Sequence, residues 1–138
     1  PNDYDRTIGC YENYQDISKV MPFCNEMHLA YVASDLAIVR SGASSLAEIS
    51  AYAIPAILVP YPFATDDHQT LNANYYVKNG AARLIKEEQL NADSLFSFID
   101  ELFKDDGKCY REMKTSMKNL SRVDSAEKIC DKINNLCN

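Results

Sequence analysis

The sequence predicts an α/β protein: a parallel sheet with flanking helices, followed by a helical C-terminal tail. Three observations carry this reading. Short apolar runs at Leu36-Ala37-Ile38-Val39, Ala56-Ile57-Leu58-Val59 and Ala82-Arg83-Leu84-Ile85 recur with a helix-length stretch between each pair, the layout of βαβ units. The runs barely alternate, which suits strands covered on both faces. After Ile85 the pattern changes to apolar residues three and four apart, as in Leu95, Phe98, Ile99 and Leu102, which is helical spacing.

In chain order, residues 1 to 18 are polar and rich in tyrosine and carry no decisive signal. Lys19 to Phe23 reads as a short strand or the approach to one. Asn25 is placed to cap a helix across Glu26 to Ser34, because a short polar side chain can accept from the free amides of a first turn. The first strand follows, then a helix over Ser44 to Ala53. Pro55 and Pro60 bound the second strand, since proline cannot donate within a ladder. Thr65, Asp66 or Asp67 caps a helix to Lys78, and Gly80 takes the left-handed position that closes it,. Asn91 or Asp93 opens a helix through Lys104, which Asp105-Asp106-Gly107 stops. Lys108 to Leu120 forms another. Asp124 with Glu127 has capping-box spacing for a last helix from Ser125 to Leu136,. No repeat or low-complexity linker interrupts the chain, so a single domain over residues 1–138 is expected.

The bulk numbers narrow the function classes. A length of 138 residues with 46% hydrophobic content supports one buried core,. A net charge of −6 disfavours nucleic acid and anionic lipid as partners,. No apolar run approaches the ~20 residues of a membrane span. Five cysteines, Cys10, Cys24, Cys109, Cys130 and Cys137, are odd in number and lack CxxC spacing, so reduced thiols in a cytoplasmic protein are expected and no metal site is. The start at Pro1, without methionine, suggests a fragment or a processed end.

Chemistry concentrates at Arg40-Ser41-Gly42-Ala43-Ser44-Ser45-Leu46-Ala47-Glu48. A strand, a small-residue turn and a serine-opened helix direct free N–H groups and the positive helix end at one point, an anion-binding device. Ser44 and Ser45 serve either as phosphate donors or as caps. Gly42 allows a sharp turn and a close approach. Glu48 sets a carboxylate near the same point, suited to the paired hydroxyls of a ribose. Phosphate and ribose together suggest a nucleotide. Arg40 meets either a phosphate or a neighbouring acid. His68 and Gln69 open the next helix at the carboxyl edge of the sheet, where open α/β folds bind ligands, and Gln69 can match vicinal sugar hydroxyls. Asn72 contacts ligand or caps backbone. Phe23 and Cys24 frame a flat base, with plain core as the alternative for Phe23. GxGxxG, P-loop and Ser-His-Asp patterns are absent,.

Taken together, Phe23 with Asn25-Glu26-Met27, Arg40-Ser41-Gly42-Ala43, Glu48, Pro55, Val59-Pro60, Asp67-His68-Gln69 and Asn72-Ala73 resemble the MurG family. These are the N-acetylglucosaminyltransferases that make lipid II for peptidoglycan. The resemblance runs from about Phe23 to Leu90, and the tail agrees in layout. It implies the C-terminal, Rossmann-like half of a GT-B fold that binds UDP-N-acetylglucosamine as a substrate, with no cofactor. It further implies an undecaprenyl-diphosphate-linked MurNAc-pentapeptide acceptor. Acceptor binding, membrane contact at the inner face of the plasma membrane and the catalytic residues would lie in an N-terminal domain. By the same resemblance, Phe23 and Cys24 would lie against uracil, Ala43, Ser44 and Ser45 would line the diphosphate, Glu48 would hold the ribose, and His68 with Gln69 would hold the GlcNAc ring. This sequence departs from the family pattern after the helix that carries Glu48, where a glycine usually stands before the proline and Ala53-Ile54-Pro55 stands here. The glycine-rich loop that completes the phosphate site is also absent, and residues 1–15 do not match the family pattern. The rival readings are a small donor-binding subunit of a dolichol-linked GlcNAc transferase, and a nucleotide-sugar-binding module without turnover.

Overall fold

The computed structural model describes Asn2 to Leu136. Cys137, at the end of the expected thiol set, lies outside the described residues; Cys10, Cys24, Cys109 and Cys130 are free thiols. The chain forms two compact units, one up to Ala30 and one from Tyr31 onwards.

The first unit holds helix α1 (Asn2–Cys10), a 3-10 turn at Glu12–Tyr14 and the start of α2 (Met27–Ala33). No local signal marks α1, whose Asp, Thr and Gly residues are weak helix formers,. The Thr7 hydroxyl donates back to the Asp3 carbonyl at 2.6 Å. Lys19 to Phe23 forms no strand. Helix α2 starts two residues after Asn25.

In the second unit, β1 (Ala37–Val39), α3 (Ala43–Ala51), β2 (Ala56–Leu58), α4 (His68–Lys78) and β3 (Ala82–Leu84) follow in the expected order. The three strands are parallel in the order β1-β2-β3. Ala37 pairs with Ala56, and Ala56 with Ala82. Ala56, Leu58 and Ala82 pack with Leu46 and Ile49 of α3, Ala73 of α4 and Met117, all buried. Both crossover helices therefore cover one face of the sheet.

The far ends of α3 and α4 close alike. At α4, Gly80 (φ +70°) donates to Val77 and Ala81 donates to Tyr76, each at 2.9 Å, the Schellman pattern. At α3, Ala53 donates to Ser50 at 3.0 Å and Ile54 to Ile49 at 2.9 Å, with Ala53 at φ +54°. An alanine thus holds the left-handed position, in the segment before Pro55 where the resemblance expects a glycine.

Helix α5 (Ala92–Leu120) opens on Asn91, whose side chain accepts from the Ser94 amide in a full capping box. It breaks at 104–107, where Asp105, Asp106 and Gly107 are left-handed, so the stop expected at those residues is present. Its first part reaches the second face of the sheet, where Glu101 pairs with Arg83 at 3.3 Å. After the break, Met117 enters the core of the first face. Ile57 is buried on the second face, whereas Ile38 of β1 is 47% exposed, so coverage of both faces does not extend to this strand. Helix α6 (Ser125–Leu136) follows. The Asp124 carboxylate that begins it pairs with Lys128 at 2.7 Å rather than forming the expected capping box. Among the described residues, no helix is long and apolar enough to cross a membrane.

Candidate functional site

Parallel strands bring their carboxyl ends to one edge, and two strand-to-helix corners stand there side by side. The first is β1–α3. Gly42 is its N-cap at φ −68°, ψ 145°, a conformation open to any residue, so the expected sharp turn does not explain the glycine. Nor does space: a Cβ added there would meet nothing within 4 Å. The first intrahelical bond runs from Leu46 N–H to Gly42 C=O at 3.0 Å. The amides of Ala43, Ser44 and Ser45 precede it, and no side chain caps them. Among the described residues the hydroxyls of Ser44 and Ser45 also have no protein partner, and Ala43 and Ser44 are exposed. The corner is an undersatisfied cluster of donors at a positive helix end.

Glu48 lies one turn further along α3 and is exposed. Its Oε2 accepts a hydrogen bond from the Tyr31 hydroxyl at 2.6 Å. That bond, reinforced by partial burial and by the carboxylate charge, pushes the Tyr31 phenol up to about 12. Tyr31 is therefore neutral and donating throughout the physiological range. Its ring rests against Tyr52 at 5.5 Å. Tyr31 escaped the sequence reading, because a contact between the end of α2 and the middle of α3 has no local signature.

The second corner is β2–α4, entered through a 3-10 turn at Thr65–Asp67. Asp66 and Asp67 are both left-handed at φ +52°. None of the expected cap residues caps α4 with its side chain, since an Ncap side chain needs an extended backbone to reach back. His68 Nδ1 lies 2.6 Å from the Thr65 carbonyl. Gln69 Oε1 accepts from the Tyr61 amide at 2.9 Å. Asn72 donates to the Ser41 carbonyl at 3.1 Å, and the buried Ser41 hydroxyl donates to the Gln69 carbonyl at 2.8 Å. Asn72 thus satisfies backbone and ties the two corners together. The remaining ring nitrogen of His68 and the amide nitrogen of Gln69 have no protein partner among the described residues.

Arg40 spans the edge, donating to Pro60 C=O at 3.1 Å and to Glu87 Oε2 at 2.8 Å, with its guanidinium 5.5 Å from the Tyr61 ring centre. An acid is its partner, although one from the loop after β3. A cleft of about 530 Å³ opens between Pro60, Pro62 and Thr70 on one side and Leu84, Lys86 and Glu87 on the other. It lies beside the second corner. Free amides and hydroxyls mark the first corner as the better anion receptor. Phe23, in the first unit, is 75% exposed and so is not core there; Cys24 is half-buried. Among the described residues, no group of His, Cys, Asp and Glu is arranged to hold a metal ion.

Comparison with known proteins bears on the family and the fold. The model of the glycosyltransferase family 28 C-terminal domain matches residues 2–129. The chain is 46% identical over 104 residues to the UDP-N-acetylglucosamine--N-acetylmuramyl-(pentapeptide) pyrophosphoryl-undecaprenol N-acetylglucosamine transferase of Halothermothrix orenii, covering 75% of this chain and 28% of that protein. To the Methylococcus capsulatus protein of the same name it is 40% identical over 126 residues, covering 91% of this chain and 35% of that one. The crystal structure of Acinetobacter baumannii MurG superposes with a TM-score of 0.76 at 29% identity, covering 85% of this chain and 33% of that one. The chain spans 28% to 35% of the length of these curated relatives. On the family match and the shared fold, it belongs to glycosyltransferase family 28 as a C-terminal domain resembling that of MurG.

Proposed function

We propose that residues 1–138 act as the donor-binding domain of an inverting glycosyltransferase, which transfers N-acetylglucosamine from UDP-GlcNAc to undecaprenyl-diphospho-MurNAc-pentapeptide in peptidoglycan synthesis. The observation that carries this reading is the uncapped mouth of α3, with three free amides, two free hydroxyls and Glu48 one turn away. Ala43, Ser44 and Ser45 receive the diphosphate, and Glu48 accepts from the ribose hydroxyls. His68 and Gln69 offer their unpartnered nitrogens to the sugar.

The acceptor's C4 hydroxyl attacks the anomeric carbon, the bond to the diphosphate oxygen breaks, and configuration inverts. Negative charge builds on the departing diphosphate. Helix-end amides are already oriented toward that charge and need no reorganisation as it forms. Glu48 positions the donor and does not act as the base, because a carboxylate bound to ribose is remote from the new bond. No cofactor enters. The base, the lipid-linked acceptor and contact with the inner face of the membrane belong to an N-terminal domain.

The test is calorimetric titration of UDP into the wild type and Glu48→Ala. Loss of charged hydrogen bonds of this kind costs about 1.5–3 kcal/mol, so affinity falls by at least about tenfold. Unchanged affinity would remove Glu48 from the site.

A further inference from the structure

Glu48 is an exposed carboxylate on the outer side of a helix, and such a side chain ordinarily samples several rotamers, at a cost of up to about 2 kcal/mol when it is fixed. Here it is fixed in advance. The Tyr31 hydroxyl donates to Oε2 at 2.6 Å. Tyr31 is itself held by its ring against Tyr52, the C-cap residue one turn beyond Glu48 at the end of α3. Among the described residues no lysine or arginine pairs with Glu48. A neutral donor therefore sets the carboxylate's orientation without neutralising it. Since an ionised carboxylate offers about four lone-pair sites, Oε1 and part of Oε2 stay open to a ligand.

We infer that Tyr31 is a positioning residue that holds Glu48 in the orientation needed to read both ribose hydroxyls, and so sets the preference for ribonucleotide over deoxyribonucleotide. The inference rests on the proposed role of Glu48 in ribose binding. Preorganisation of this kind raises affinity only for ligands that use the fixed group. Its signature is therefore a change in selectivity.

The experiment titrates UDP and 2′-deoxyuridine diphosphate into the full chain, followed by amide NMR shifts, in wild type, Tyr31→Phe, Glu48→Gln and the double variant. Phenylalanine keeps the ring that packs on Tyr52, and thermal unfolding of each variant verifies the fold. Wild type is expected to prefer UDP. Tyr31→Phe is expected to weaken UDP by about threefold to tenfold, to weaken the deoxy ligand, which keeps only its 3′ hydroxyl, by clearly less, and to add little in the Glu48→Gln background. Equal loss for both ligands, or an unchanged preference, overturns the positioning role while leaving Glu48's role standing if Glu48→Gln alone abolishes the preference. Absence of UDP binding in wild type, or its persistence at full strength in Glu48→Gln, overturns the parent reading and this one with it.

Discussion

The two corners on the carboxyl edge are built from the same kind of sequence: a strand, small and polar residues, and a helix. They differ in where their hydrogen-bonding groups go. At β1–α3 the amides of residues 43–45 and two serine hydroxyls face no protein partner. At β2–α4 a left-handed pair of aspartates, His68, Gln69 and Asn72 bond mostly to the chain itself. One corner leaves its donors open, and the other spends most of its groups on holding the chain together. Ser41, buried between them and bonded to both Gln69 and Asn72, is the joint.

This contrast is most easily broken at Gly42. Gly42→Asp gives α3 a capping side chain in a backbone already suited to it, and sets a negative charge at the positive helix end. Capping and dipole terms predict a fold unchanged or stabilised by up to about 1 kcal/mol. UDP binding, competing for the same amides, should fall by more than about tenfold. Titration beside thermal unfolding measures both; a joint fall in stability and affinity would mean that the corner is structural. The opposite response is expected at the frame. Asn72→Ala leaves the Ser41 carbonyl without its donor and should cost about 1–3 kcal/mol in urea unfolding, with UDP affinity changed less than by Glu48→Ala. The far ends of the helices sharpen the comparison further. Ala53 bears a left-handed backbone that Gly80 adopts freely, so Ala53→Gly should stabilise by about 1 kcal/mol, read as a higher urea midpoint at constant slope.

Much of the fold was legible because its signals are local. The three apolar runs, Gly80, Asn91 and Asp105-Asp106-Gly107 each act within a few residues, and each does what its chemistry suggests. The failures have equally local causes. Asp67 cannot cap from a left-handed backbone, and Asp124 finds Lys128 a closer partner. Helix α1 forms from weak formers that no periodicity marks. At the site, residue types were legible, whereas their occupancy was not. Whether Ser44 is free and Asn72 engaged depends on how two loops meet, 28 residues apart in sequence from Ser41 to Gln69. The Tyr31–Glu48 bond spans 17 residues across a strand and left no trace in spacing.

The bend at 104–107 has an effect beyond ending one helical run. It carries the chain from the Arg83 side of the sheet to the Met117 side, so the last long stretch works as a clasp around the layer on which α3 and α4 stand. Damage to that clasp would loosen the footing of both strand-to-helix corners from behind. On the proposed donor-binding role, a lesion there would register as a weakened grip on nucleotide, although every group proposed to touch it stayed intact.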